Sequence, residues 1–372
     1  MPDQETAHLR RWRDLWSDAY AQGTQGSPPG DPSLNTAGWT SSYTGMAIRD
    51  AEMKEWVERT VERLLDPLPS RVLEIGCGTG MLLLRMARHA EYVGIDFSDK
   101  ALAYVQSRVE AEGLKNVTLI RSTADDLSAV EGAFDLVVLN SVVQYFPSLE
   151  YFLRVVNGAI GRLTPDGRLF LGDLRSLPLL EAFHASVQAQ QADDDVSEDD
   201  LRARVRAAVR QERELVIHPA LFASASKLFP GVRRAEIQLK RGRARNEMTR
   251  FRYDAVLHLS DSVPGPPARQ LKWGNPDAVP AKLRKLLAAE APSAITVLGV
   301  PNARLTRPGV DPEDFWALEK DLPYRVRIGW SEGAEDGSYD VRLRHKESGG
   351  GKTVVMQEID SAQWANRPLG EG

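Results

Sequence analysis

A single cysteine, Cys77, stands among 372 residues. That excludes an internal disulfide framework and a cysteine-built zinc module, and it suits a reducing compartment. Long apolar runs are missing as well: no uninterrupted stretch of about 18 apolar residues occurs, so no membrane span is expected. The opening residues, Met1 to Trp12, lack the apolar core of a secretory signal. Neither sign of charge dominates, with 47 Lys and Arg against 52 Asp and Glu. Such a balance speaks against a general nucleic-acid binder. His8, His89, His218, His258 and His345 show no ligand spacing, so no metal site is expected. What remains is a protein expected in the cytoplasm, long enough for one large or two ordinary domains. Its eight tryptophans need placing.

Leu9, Trp12, Trp16 and Tyr20 recur at helical spacing, which predicts an amphipathic helix over residues 8–21. A loop rich in Gly, Pro and Ser follows at 23–32. Asp50 is the expected cap of a second helix whose apolar face is Met53, Trp56, Val57, Val61, Leu64 and Leu65. From residue 71 strands and helices alternate. Strands are expected at 71–75, 92–95, 117–121, 136–139 and 168–172, with helices at 81–88 and 100–112. Buried strands separated by helices predict a doubly wound parallel sheet with its ligands at the carboxyl ends of the strands. Helices at 177–191 and 201–214 come next, the second opened by Ser197 and the acidic run 193–200, a capping pattern on a solvated face. Two alternating strands, 232–240 and 251–259, end this part. A proline-rich linker at 260–268 leads to two helices (281–289 and 311–321) and three strands (294–300, 324–330 and 339–344), then to a turn at 348–351 and a fraying tail at 366–372.

The strongest chemical signal is Val72-Leu-Glu74-Ile-Gly76-Cys-Gly78-Thr-Gly80, between a strand and a helix. Small residues let backbone approach a ligand, and the helix start presents unpaired N–H groups. The spacing is G-x-G-x-G, unlike the dinucleotide G-x-G-x-x-G. Glu74, two residues ahead of the first glycine, would repel a pyrophosphate and suits a cationic ligand, which makes a nicotinamide dehydrogenase the least favoured reading. Asp96, followed by Phe97, ends the second strand, where a carboxylate can accept from both hydroxyls of a ribose. Its other reading is a helix cap, for which Ser98 is the better candidate. Ser122-Thr-Ala124-Asp125-Asp126 ends the third strand, where Asp125 and the backbone at Ala124 are the favoured adenine contacts. Asn140-Ser-Val-Val-Gln144-Tyr145 ends the fourth, over a reacting centre.

These strand ends, in this order, resemble class I S-adenosylmethionine-dependent methyltransferases, whose antiparallel last strand matches the pair at 232–259. Four stretches make the resemblance more specific: Gly38-Trp-Thr-Ser-Ser-Tyr-Thr-Gly45, Asn140 to Pro147, Gly172 to His184, and Arg241 to Tyr253. They look like the methyltransferase domains embedded in nonribosomal peptide synthetases, and the similarity extends into Val300-Pro-Asn-Ala-Arg304 and Asp311-Pro-Glu-Asp-Phe-Trp316. The resemblance implies S-adenosyl-L-methionine as donor, S-adenosyl-L-homocysteine as product, and N-methylation of an amino acid, free or tethered to a carrier protein. No adenylation motifs accompany it, so the chain is expected to be an excised domain or a free-standing relative. O-methylation of a hydroxyl, phenol or carboxyl, and a catalytically silent donor-binding module, are the alternatives.

Methyl transfer from a sulfonium is an in-line displacement, aided by alignment, dryness and a base. His184, Glu247 and Tyr145 are the catalytic candidates. Glu247 is the only acid among six bases at 240–252, and its other reading is a salt bridge to Arg250 or Arg252. His184 and Tyr145 are otherwise structural. Gln144, Asp173, Arg175, Asn246 and Trp39 are candidate substrate residues. Tyr20 and Tyr43 are expected in a lid over the donor, since aromatic faces attract cations. Trp12, Trp16 and Trp56 are expected in packing, and Cys77 as a small filler. The stretch Lys240, Arg241, Arg243, Arg245, Arg250 and Arg252 is either hairpin surface or a dock for an acidic carrier protein and its phosphopantetheine. The expected division is a helical lid at 1–69, a cofactor-binding core at 70–262 with a helical insertion at about 176–216, and a small α/β appendage at 263–372.

Overall fold

Near-continuous apolar runs, such as Leu-Val-Val-Leu at 136–139, make strands that bury both faces. The computed structural model describes residues 2–23, 31–193, 195–261, 268–332, 335–348 and 357–368. Most of the expected loop at 23–32, linker at 260–268, turn at 348–351 and tail at 366–372 lies outside the described residues.

Ahead of the strands, α1 (Pro2–Gly23) and α2 (Asp50–Leu64) occupy the two segments of helical spacing. α2 turns Met53, Trp56, Val57 and Leu64 inward. Asp50 is its first residue and not its cap; Arg49 takes the cap position, and no side chain closes that end. Then come β1 (Arg71–Ile75), α3 (Leu83–Met86), β2 (Glu91–Asp96), α4 (Asp99–Ala111), β3 (Val117–Arg121), β4 (Phe134–Asn140), α5 (Leu149–Ile160) and β5 (Leu163–Arg175). α6 (Leu180–Gln191), α7 (Glu198–Arg210) and α8 (Ala225–Leu228) lead to β6 (Arg234–Leu239), α9 (Glu247–Phe251) and β7 (Arg252–His258). The strands form one sheet in the order β3-β2-β1-β4-β5-β7-β6, parallel except for β7. This is the expected doubly wound sheet closed by an antiparallel pair.

Strand alternation sorts the side chains into two cores. Leu73, Ile75, Val137 and Leu139 pack with Phe152, Val155 and Val156 of α5. Val72, Leu136 and Val138 pack on the other face with Met53 and Val57 of α2 and Leu83 of α3. Ser98 caps α4 through the Ala101 N–H, and Ser197 caps α7 through the Asp200 N–H. The helix expected at 81–88 is regular only over α3, because His89 and Ala90 donate back to the Met86 carbonyl and turn the chain into β2. β5 outruns its expected limits and carries a register shift between Leu171 and Leu174, where Asp173 has φ +64°.

The remaining elements are β8 (Arg269–Lys272), α10 (Pro280–Glu290), β9 (Ala294–Val300), α11 (Pro312–Trp316), α12 (Leu318–Asp321), β10 (Tyr324–Trp330) and β11 (Tyr339–His345), whose four strands form a second sheet in the order β10-β11-β9-β8. β8 carries too little pattern to be read, since only Leu271 of its four residues is buried. The helix expected at 311–321 breaks in two at Ala317.

Arg304 joins this part to the main sheet. Its buried guanidinium donates to the carbonyls of Lys240 and Gly242 at 2.7 Å each and of Thr249 at 3.2 Å, and lies 3.5 Å from Asp311. Arg304→Ala strands these acceptors, so we expect a loss of roughly 2–5 kcal/mol in urea-unfolding free energy. A loss below about 0.5 kcal/mol would contradict this role.

Candidate active site

The glycine loop leaves β1 and turns back under the end of β2. Gly76, Gly78 and Gly80 all have positive φ (80°, 51° and 77°). At Gly76 a Cβ would come within 2.6 Å of Val142, and at Gly78 within 3.0 Å of the Tyr20 hydroxyl. A side chain at either position would be strained by the backbone conformation and crowded by these neighbours. The Asp96 carboxylate accepts from the N–H of Gly78 and of Ser98, both at 2.9 Å, and so ties the loop to β2. Glu74 is 3% exposed and accepts from the Tyr92 hydroxyl at 2.9 Å. Burial pushes the Glu74 carboxyl up to about 8 and that of Asp96 to about 6. Asn140 is buried, and its Oδ1 has no partner.

These groups line one cavity of about 90 Å³, walled by Trp16, Tyr20, Trp39, Trp56 and Tyr145. Of the expected donor residues, Tyr20, Glu74, Gly76, Gly78, Asp96, Phe97 and Asn140 meet there. Gly80 lies beneath, against Val105. Ala124, Asp125 and Tyr43 are not in its lining: Asp125 accepts from the Tyr151 hydroxyl, and the Tyr43 hydroxyl is held by Ser186 and Arg250.

A second cavity, about 540 Å³, adjoins the first and shares Trp16, Trp39 and Tyr145 with it. It contains Gln144, Arg175, His184 and Glu247 of the expected residues. Glu247 starts α9, whose cap Asn246 accepts from the N–H groups of Met248 and Thr249 and donates to Glu52 at 2.8 Å. Asn246 thus positions Glu247 and does not line the cavity. One Glu247 oxygen accepts from the Ser42 N–H at 2.7 Å; the other, Oε2, is buried without a partner. His184 Nε2 lies 3.1 Å from Glu212, and Arg175 donates to Glu212 at 2.8 Å and Glu214 at 2.7 Å. Burial works against the Glu212 carboxylate, but His184 and Arg175 together hold it at about 2.

Asp173 lies below this cavity, fully buried. It receives Arg252 at 2.5 Å, Trp56 Nε1 at 3.2 Å and the Ser141 hydroxyl, with Lys240 at 3.5 Å. Burial raises the cost of its charge, yet Arg252 and Lys240 bring its carboxyl down to about 2. Arg252 in turn lines the second cavity. Most of the basic stretch is engaged in the same way. Lys240 pairs with Asp254, Arg241 with Glu313 and Arg243 with Asp314, while Arg250 donates to Tyr43 and the Arg304 carbonyl.

Trp12, Trp16 and Trp56 pack as expected and also line cavities, with Trp12 4.6 Å from Tyr145 and Trp56 4.8 Å from Trp39 between ring centres. Glu212 and Glu214 carried no signal of a role in sequence, because their partners are dozens of residues away, and Arg252 was read there as part of a basic stretch and not as the partner of Asp173. No group of three or more His, Cys, Asp or Glu that could hold a metal occurs among the described residues. Nor is any helix among them long and apolar enough to cross a membrane.

Residues 69–215 match a family model described as a methyltransferase domain. Fully 98% of the chain aligns with a chondramide synthase of Chondromyces crocatus at 41% identity, covering 10% of that protein. A beauvericin nonribosomal cyclodepsipeptide synthetase of Beauveria bassiana is 36% identical over 67% of the chain and 8% of its own length. The chain thus spans about a tenth or less of these relatives. The N-methyltransferase NodS of Bradyrhizobium japonicum is a looser structural likeness, with TM-score 0.36 and 16% identity over 64% of this chain and 97% of that one. The chain belongs to the class I S-adenosylmethionine-dependent methyltransferases. In sequence it aligns with one segment of each of these synthetases.

The cavity residues of this methyltransferase fit its donor. The unpartnered Asn140 Oδ1 can accept a hydrogen bond, and two buried carboxylates face a space walled by aromatic rings. Glu74 would meet positive charge there, Asp96 the ribose hydroxyls, and the glycine loop leaves no side chain in the way.

Burial of Glu74 makes the protein's stability depend on pH. The folded protein keeps a proton that the unfolded chain releases, so stability falls as pH rises from about 4.5 towards about 8. Without donor, Glu74→Gln should gain on the wild type by on the order of 1–3 kcal/mol at pH 8. The difference should vanish near pH 4. Urea denaturation at both pH values measures it, and equal stability at pH 8 would refute the burial argument.

Proposed function

We propose that this methyltransferase N-methylates the amino group of an aminoacyl acceptor, presented on a carrier protein or free, in nonribosomal peptide biosynthesis. The observation that carries this reading is the unpartnered Oε2 of Glu247, buried in the wall of the larger cavity. An acceptor N–H supplies the donor that this oxygen lacks. Bound S-adenosylmethionine supplies a methyl group made electrophilic by its sulfonium.

The chain's own residues do the rest. Glu247, fixed by the Ser42 N–H and by the Asn246 cap, accepts the proton that leaves the acceptor nitrogen as its lone pair engages the methyl carbon. Trp16, Trp39 and Tyr145, common to both cavities, line the passage between them, exclude water and offer ring faces to positive charge. Gln144 and Arg175 orient the acceptor, and His184 holds Glu212 beside it. Tyr43, braced by Arg250, secures the loop that carries Ser42. Adenine contacts at Ala124 and Asp125 belong to this proposal too, as does the division into a lid at 1–69, a core at 70–262 and an appendage at 263–372.

Asp96→Ala should weaken S-adenosylhomocysteine binding by roughly 1–3 kcal/mol, about 5- to 150-fold, measured by calorimetry. Unchanged affinity in the folded variant refutes the ribose contact. Glu247→Gln should keep donor affinity and lower kcat by roughly 10²–10⁴. Mass spectrometry of products from aminoacyl and hydroxyacyl acceptors tests the nitrogen assignment. An O-methylated product overturns it, and donor binding with no turnover on any acceptor makes the chain a silent binding module.

A further inference from the structure

Internal ion pairs and hydrogen bonds engage most of the basic hairpin, so little of its charge is free for a partner. Of its six cations, all but Arg245 have charged or hydrogen-bonding partners. Besides Arg245, further cations without a carboxylate partner among the described residues lie on α7 and just past its end. On α7 only Arg202 has carboxylate partners, Glu198 and Asp199. Arg206 and Arg210 are exposed and one helical turn apart, hence on one face, and the exposed Arg213 follows just past the helix end. Val205 is buried and anchors the helix from its opposite side. Among the described residues, none of these three arginines has an acid in ion-pair contact.

Their position gives the charge a use. Gln211, Glu212, Arg213 and Glu214, the segment into which α7 runs, form part of the wall of the acceptor cavity. A partner seated on Arg206 and Arg210 is therefore held at the edge of the space where methylation is proposed, with Arg213 between dock and cavity. We propose that the C-terminal half of α7 is the docking surface for an acidic helical face of the protein domain that delivers the tethered acceptor.

The inference rests on the carrier-tethered reading above, and charge complementarity selects the partner. Guanidinium forks match carboxylates, and a charged rim governs encounter and orientation more than it does chemistry. A nucleic acid fits poorly: three arginines neutralise few phosphates, and the chain as a whole carries a net charge of −5.

Steady-state kinetics of the full chain with two acceptors provide the test. One is an aminoacylated acidic carrier protein, and the other is the same aminoacyl group on pantetheine. Arg206→Glu with Arg210→Glu should raise KM for the carrier-loaded acceptor about tenfold or more, with kcat unchanged. Both constants for the pantetheine thioester should stay at wild-type values, which also shows that the variant is folded. Arg206→Lys with Arg210→Lys should retain most of the carrier KM. In the wild type the carrier KM should rise with salt, and in the charge-reversed variant it should not. An unchanged carrier KM in that variant overturns the docking surface and leaves the N-methylation reading intact. Failure of the wild type to methylate the carrier-loaded acceptor, while it does methylate free amino acids, overturns the tethered reading and the dock with it. Gel-shift titration with single-stranded nucleic acid is the remaining arm, and tight binding lost in the charge-reversed variant would overturn the carrier assignment.

Discussion

Five charged side chains meet under the active site, and most of what surrounds them is arranged to keep them paired. Asp173 and Asp254 stand on neighbouring strands, and Arg63, Lys240 and Arg252 reach them from α2, from the end of β6 and from the start of β7. The Asp173 N–H, freed from the ladder by the bulge in β5, donates to Asp254 at 2.8 Å. Burying ions is costly unless each has a partner in good geometry, and removing one member leaves the others uncompensated. The network therefore specifies an arrangement more than it adds stability. It holds the Ser141 turn after β4, the Trp56 ring in the wall of the smaller cavity and the Arg252 guanidinium in the wall of the larger one in fixed relation. Asp173 and Ser141 both have positive φ, and both sit where this network pulls the backbone away from ordinary strand geometry.

The strands were legible because burial on both faces writes itself as short apolar runs. β1 stands at the residues that such a run marks, whereas β10, where Arg325 and Arg327 alternate with buried Val326 and Ile328, shows the one-sided alternation instead. The glycine loop and the carboxylates at 74 and 96 were legible for a different reason: they follow strands at fixed offsets, so local spacing carries them. What stayed hidden depends on partners distant in sequence. Nothing near Glu212 announces Arg175, and nothing in Arg252 announces Asp173, 79 residues away. Tyr43 looked like a lid residue because it is aromatic and precedes the fold, yet its hydroxyl is taken by Ser186 and Arg250. The tryptophans divided poorly into packing and function, because the cavity walls are themselves packed aromatic layers.

Charge shows the same dependence on distance. A run of arginines in sequence suggested a free basic surface, but the fold brings Glu313, Asp314, Asp254 and Asp173 to meet it. α7 separates its charges along its own axis, acids in the first turn and arginines towards the end. That pattern complements the helix dipole as well as leaving cations exposed.

Trp16, Trp39 and Tyr145 are a party wall, one surface shared by two rooms. Any shift of that wall that enlarges the smaller room redraws the larger. Ligands in the two rooms would then be coupled, and by thermodynamic reciprocity whatever factor one imposed on the affinity of the other, the other would impose in return. A wall shared in this way could let the protein read the presence of one ligand in its grip on the other.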